Sequence, residues 1–307
     1  MTDALITLRD FIRYAASRFN AAGLSFTHGH DSALDEATFL VLHSLHLPHD
    51  LPPAYAGARL TADERALLHV RIAERLERRP LAYITGEAWF AGMAFKVTPG
   101  VLIPRSPIAE LIESGFAPWL SQTPEHILDL CTGSGCIAIA CAMRFPQAQI
   151  DATDISEEAL TIARFNAQQH GVSERVEVLG SDLFGALRGR RYDLIVSNPP
   201  YVSVGEHAAL APEFGFEPAL ALVSGSDGLS VPLAILADAP NFLHEDGWLV
   251  LEVGASELAL LQRLPDLPGT WADFERGGSG VLVLRAAELA GYLPQILRAI
   301  AERAEEL

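Results

Sequence analysis

His126-Ile127-Leu128-Asp129-Leu130-Cys131-Thr132-Gly133-Ser134-Gly135 joins a short apolar run to a glycine-rich turn. The run reads as a buried strand bounded by turn residues. Glycines at 133 and 135 let the backbone bend sharply and come close to a ligand, and a helix expected after Gly135 presents free N–H groups at its positive end. The same alternation continues downstream. Gln149–Thr153, Val176–Leu179, Tyr192–Ser197 and Trp248–Val253 read as further strands, with helices after Ser156 and around Pro232–Phe242. Val281–Leu284 reads as a late edge strand and Glu288–Leu307 as a closing helix. Strands alternating with helices predict an α/β fold with a doubly wound, mainly parallel sheet.

Upstream the pattern is helical. Leu8, Phe11, Ile12, Ala15 and Phe19 recur at three- and four-residue steps and stop at Gly23, and Ser32 caps a second helix carrying Ala37, Leu40 and Val41. Thr61 and Glu64 form a capping box before Leu68, Ile72 and Leu76, which share one face as far as Pro80. From Leu81 to Pro107 the texture changes to short β-type runs broken by Gly86, Gly92, Gly100 and prolines, a hairpin and connector in which Trp89, Phe90 and Phe95 need somewhere to pack. The expected organisation is therefore a helical domain over 1–80, a β-hairpin connector over 81–118 and the α/β domain over 119–307.

With 307 residues, half of them hydrophobic, the chain is long enough for one large domain beside a smaller one. Its longest uncharged apolar stretches, such as Gly135–Met143, fall well short of the roughly 18 residues that cross a bilayer, and no basic region precedes an apolar segment within Met1–Phe11. A cytoplasmic protein with no membrane contact is expected. Cys131, Cys136 and Cys141 lie five apart, which suits neither a C-x-x-C metal site nor a disulfide framework, so they read as buried thiols. His43, His46 and His49 lack a carboxylate or thiol to complete a metal site, and no metal is expected.

The chemistry gathers at the carboxyl ends of the strands, where open α/β sheets bind ligands. Asp154 ends the second strand 25 residues beyond Asp129, placed to accept both ribose hydroxyls of a nucleoside. Asp182, with Leu183 and Phe184 beside it, follows the third strand and offers an acceptor next to apolar surface, which suits an adenine ring. A dinucleotide enzyme would want a third glycine where Ala138 stands, a replacement that motif sometimes tolerates. Behind Tyr192–Ser197 stands Asn198-Pro199-Pro200-Tyr201, which hydride transfer does not need. One reading is that Pro-Pro merely ends a strand. The other rests on a resemblance to the substrate-amide loop of class I S-adenosylmethionine methyltransferases that act on planar nitrogens, and it implies a polar grip: the Asn198 side-chain oxygen and the Pro199 carbonyl accept from the two hydrogens of the nitrogen, and Tyr201 stacks on the planar group.

Taken together, Asp129–Gly135, Asp154, Asp182-Leu183-Phe184 and Asn198–Tyr201, preceded by the helical region and Ile103-Pro104-Arg105, resemble the HemK-related protein glutamine methyltransferases over nearly the whole chain. The resemblance implies a class I, Rossmann-like seven-stranded sheet, S-adenosyl-L-methionine as cofactor with S-adenosyl-L-homocysteine as product, and a substrate-recognition role for the helical domain. It implies cofactor binding by Asp129, Cys131, Thr132, Gly133, Ser134, Gly135, Asp154, Asp182, Leu183 and Asn198. It also implies substrate binding by Asn198, Pro199, Pro200 and Tyr201, with Asn198, Pro199 and Tyr201 catalytic. Cys131 stands where many relatives carry glycine. Release-factor enzymes usually carry Arg-Pro-(Asp/Glu)-Thr at the connector, whereas Arg105-Ser106-Pro107-Ile108-Ala109-Glu110 is similar to the branch acting on ribosomal protein L-three of the large subunit. Phe216–Leu222 is similar to the family's region flanking the substrate.

The net charge of −17 agrees with a basic ribosomal protein as partner and disfavours direct nucleic-acid binding. The alternatives are a release-factor methyltransferase, a nucleic-acid adenine methyltransferase that presents an exocyclic amine to the same loop, and a non-catalytic module that only keeps cofactor affinity.

Overall fold

The computed structural model describes residues 4–27, 29–30 and 32–306. The first three residues of the amino-terminal segment and Leu307 of the closing helix therefore lie outside the described residues. The chain divides into two compact units, one formed by Met1–Ala88, Val97–Pro99 and Ala211–Phe216, the other by Trp89–Lys96, Gly100–Leu210 and Glu217–Leu307.

In the helical unit, Thr7 and Asp10 close a capping box at the start of α1 (Leu8–Ala21), Ser32 caps α2 (Ala33–Ser44), and Thr61 with Glu64 caps α3 (Ala62–Leu76). Phe11, Ala15, Phe19, Leu40, Leu68 and Ile72 form the apolar core. Periodicity does not reveal a charge inside it. Arg75 on α3 is 1% exposed and donates from Nε to Glu36 at 2.5 Å and from Nη2 to the Ser25 carbonyl at 2.6 Å. Glu213, also buried, lies 3.5 Å from Arg75 and accepts from the Ser25 N–H. His43 and His49 stack on Phe39, with ring centroids 5.6 and 4.4 Å away.

Leu81–Thr85, expected to be β-type, is a short helix, α4, begun by Pro80 and ended by Gly86 at φ 78°. Proline at a helix entry costs no hydrogen bond, and the glycine supplies the left-handed exit. The hairpin follows as β1 (Glu87–Phe90) and β2 (Met93–Lys96), turned by Ala91 and Gly92, both at positive φ. Phe90 and Phe95 are buried, but Trp89 is 50% exposed because the two-residue period of its strand turns it outward.

After the hairpin the larger unit continues with α5 (Ile108–Glu113) and then alternates: β3 (His126–Leu130), α6 (Cys136–Arg144), β4 (Gln149–Asp154), α7 (Glu157–Gln169), β5 (Val176–Gly180) and β6 (Tyr192–Ser197). α8 (Val204–Ala209), α9 (Ser230–Asp238), β7 (Leu243–Glu252), α10 (Glu257–Arg263), β8 (Thr270–Trp271), β9 (Val281–Arg285) and α11 (Ala286–Glu306) follow. The seven-stranded sheet has the order β5-β4-β3-β6-β7-β9-β8. Its first five strands are parallel and β9 is antiparallel to both β7 and β8.

Side chains alternate across the sheet. Ile127, Ile150 and Val196 face one layer with α5 and α6, while Leu128, Ile195 and Leu249 face the other with α9 and α11. The sheet is thus a doubly wound, class I-type α/β structure. Strand β7 starts five residues earlier than Trp248, across a Gly247 whose added Cβ would lie 3.0 Å from the carbonyls of His244 and Tyr192. Two-residue β8 is too short to leave a period in the sequence. No helix among the described residues is long and apolar enough to cross a membrane.

Candidate active site

Strand order reverses at β3 and β6, so the loops leaving their carboxyl ends flank a crevice. The first loop is shaped from below. Asp129 is fully buried and accepts from the Thr132 hydroxyl at 2.5 Å and the Ala138 N–H at 3.0 Å, bracing the turn against the start of α6. Burial pushes its carboxyl up to about 7. Within the turn Cys131, Gly133 and Gly135 all take left-handed φ, of 59, 56 and 81°. A side chain on Gly135 would meet Ala163 of α7 at 3.1 Å, so that glycine serves helix packing.

Asp154, at the end of β4, accepts from the N–H of Gly133 and of Ser156, each at 2.9 Å, one on each carboxylate oxygen. A lone pair on each oxygen remains. Burial raises its carboxyl above the ordinary value. Beyond β5, Leu183 holds a left-handed φ of 44° while its carbonyl accepts from the Ser181 hydroxyl.

Cys131, Thr132, Gly133, Ser134, Asp154, Asp182, Leu183, Asn198 and Pro200 all line one cavity of about 230 Å³. Asp129 and Gly135 stand outside its lining. Phe184 turns into the core, stacked on Phe242 at 4.6 Å. Pro199 and Tyr201 line an adjoining cavity of about 20 Å³, and Asn198 belongs to both. Among the described residues the Asn198 side chain and the Pro199 carbonyl have no hydrogen-bond partner in the protein. Cys131 is partly exposed at the wall, whereas Cys136 and Cys141 are buried. Burial, with Asp154 and Asp129 nearby, pushes the Cys131 thiol far up, so it stays protonated.

Residues 116–231 match the Methyltransferase small domain and residues 10–86 the PrmC N-terminal domain. The chain is 52% identical over 306 residues to the ribosomal protein uL3 glutamine methyltransferase of Xylella fastidiosa (strain Temecula1), covering 98% of this chain and 97% of that one. It is 52% identical over 300 residues to the protein of the same name from Xanthomonas campestris pv. campestris, covering 96% of each. The chain belongs to the ribosomal protein uL3 glutamine methyltransferase family. Among solved structures it is similar in fold to the hMettl16 catalytic domain in complex with MAT2A 3'UTR hairpin 6, at a TM-score of 0.50 and 18% identity over 70% of this chain and 82% of that one.

For a member of this uL3 glutamine methyltransferase family, the site holds more than the motifs announce. Leu102, Arg105 and Ser106 from the connector line the large cavity, as do Ile155, Pro218, Leu220 and Ala221. Arg105 donates to Glu217 at 2.8 Å, and the Ile103 N–H donates to the same carboxylate. Glu252, the last residue of β7, stands outside both linings and accepts from the hydroxyls of Ser106 and Tyr201, which line them. Its signal in the sequence is a single carboxylate inside the otherwise apolar run Trp248–Val253.

The walls fit an adenosyl cofactor. Thr153, which lines the cavity, has its Oγ1 buried without a protein partner among the described residues. Gly133 leaves open space where any side chain would stand.

Proposed function

We propose that this chain transfers a methyl group to the side-chain amide nitrogen of a glutamine in ribosomal protein uL3, in the cytoplasm, using S-adenosyl-L-methionine. The observation that carries this reading is the pair of free acceptors, the Asn198 side chain and the Pro199 carbonyl, at the junction of the two cavities. Bound S-adenosyl-L-methionine supplies an electrophilic sulfonium methyl and leaves as S-adenosyl-L-homocysteine. Asp154 accepts the ribose hydroxyls, Asp182 and Leu183 receive the adenine, and Cys131, Thr132, Gly133 and Ser134 enclose the rest, on a turn shaped by Asp129 and Gly135.

An amide nitrogen delocalises its lone pair into the carbonyl and is a poor nucleophile, so positioning carries most of the catalysis. Asn198 and Pro199 accept from the two amide hydrogens, fix the nitrogen's direction and favour the partial positive charge it develops. Pro200 and the Tyr201 ring complete the slot for the planar group. The methylated nitrogen is cationic and strongly acidic, so it gives up one N–H proton to solvent water, leaving the neutral N-methyl amide, and no general base is assigned. A net charge of −17 supports a basic protein substrate rather than a nucleic acid. The release-factor alternative is not favoured, since the relatives matching nearly end to end are named for uL3.

Methyl transfer from labelled cofactor, assayed side by side on purified uL3, release factor and duplex nucleic acid, tests the reading. Label is expected in a uL3 glutamine; label in release factor or nucleic acid alone overturns it. Asn198→Ala is expected to lower kcat by about 100- to 1000-fold, the range seen when one stabilising hydrogen-bond partner is removed, with cofactor affinity kept.

A further inference from the structure

Glu252 has no part in binding either reactant as described above, yet it is 4% exposed and sits at the foot of the amide-gripping loop. It ends β7, whose Leu251 pairs with Ser197 at the end of β6, so the strand register brings it beside the residues that follow Ser197. Both of its oxygens are engaged. Oε1 accepts from the Tyr201 hydroxyl at 2.9 Å and Oε2 from the Ser106 hydroxyl at 2.5 Å. Burial raises the Tyr201 phenol well above its ordinary value, and the Glu252 charge adds to this, so the phenol remains a donor.

Tyr201 is held at two further points. Its carbonyl accepts from the Ser256 hydroxyl at 2.5 Å, and its ring lies so close to Gly254 that a Cβ there would fall 2.5 Å from Tyr201 Cε2. Asn198 and Pro199 are separated from this anchor only by Pro200, and the fixed φ of the two prolines makes the segment stiff. Anchoring Tyr201 therefore sets where the Asn198 amide and the Pro199 carbonyl point.

We propose that Glu252 is a positioning residue for methyl transfer: by fixing the Tyr201 hydroxyl and tying it to Ser106 of the connector, it aims the Asn198–Pro199 acceptors at the substrate amide. The inference rests on the reading of the site as an amide methyltransferase, and it concerns a group that touches neither substrate nor cofactor.

Glu252→Gln keeps the size of the side chain, but its amide has only one acceptor oxygen for two donating hydroxyls. Burial already pushes the Glu252 carboxyl up to about 7, so a neutral replacement is compatible with folding. Tyr201→Phe removes only a hydroxyl and serves as an independent second variant. In either variant, hydrogen exchange at the Asn198, Tyr201 and Val202 amides is expected to rise by about tenfold or more, with Leu194–Ser197 in β6 unchanged. On uL3, kcat is expected to fall by about 10- to 100-fold while the cofactor Kd by calorimetry stays within about twofold. Glu252→Gln with Tyr201→Phe together should be no slower than the slower single variant, because both act through one contact.

Unchanged exchange at the three loop amides in both variants overturns the inference whatever the activity, and so does a double variant whose losses multiply. Exchange needs no substrate, so a wild-type chain that methylates no uL3 condemns the proposed function separately from the Glu252–Tyr201 anchor.

Discussion

Asp129 and Asp154 show how two like residues on neighbouring strands take different tasks. Asp154 ends its strand and faces the cavity with lone pairs to spare, whereas Asp129 lies one residue inside its strand and braces the turn. Asp154→Ala is expected to weaken cofactor binding by about 2 to 4 kcal/mol, read by calorimetry, through loss of two hydrogen bonds to a charged acceptor. The Asp129 carboxyl rises on folding from an ordinary 3.8 to about 7, so folding favours its protonated form. That contribution is full below the ordinary carboxylate range and is lost as pH rises through about 7. Between pH 5 and pH 8 the melting temperature of the wild type should therefore fall relative to Asp129→Asn, and parallel curves would contradict this. Asp154 was legible because it closes a strand at the right spacing. The inward turn of Asp129, and of Phe184 onto Phe242, depends on side-chain direction that spacing alone does not carry.

At the scale of elements, the glycine turn after β3 is stabilised by α7 through a residue outside the cavity lining. Asn166 of α7, fully buried, donates to the Ser134 carbonyl at 2.8 Å and exchanges two hydrogen bonds with the Lys96 backbone in β2. It thereby stitches hairpin, helix and loop together. Asn166→Ala leaves these backbone groups short of partners and is expected to cost about 1 to 3 kcal/mol in denaturant unfolding, with weaker cofactor binding by calorimetry. The strands from β3 to β7 and β9 were legible from their apolar runs and the glycine turn. Two-residue β8, and helices α5, α8 and α10 of six or seven residues, were not, because so few residues complete no clear period. Helix α4 is not legible because Leu81–Ile84 is apolar throughout and the deciding cues, Pro80 and Gly86, also mark β-turns.

For the molecule as a whole, the acidic balance has a kinetic consequence. If the protein substrate is basic, as proposed, added salt should raise its KM far more than KM for the cofactor, because screening weakens long-range steering. Equal salt dependence of the two would remove the electrostatic argument. Periodicity predicts a helical domain over 1–80, and the compact unit that contains these helices also takes in Ala211–Phe216, far downstream in the chain and without a period of its own. That return segment brings Glu213 to Arg75, and it bears on any attempt to dissect the protein. A single scission near residue 88 leaves the two units unseparated, and the carboxyl-terminal fragment would retain a stretch whose guanidinium counterpart has been discarded with the other piece.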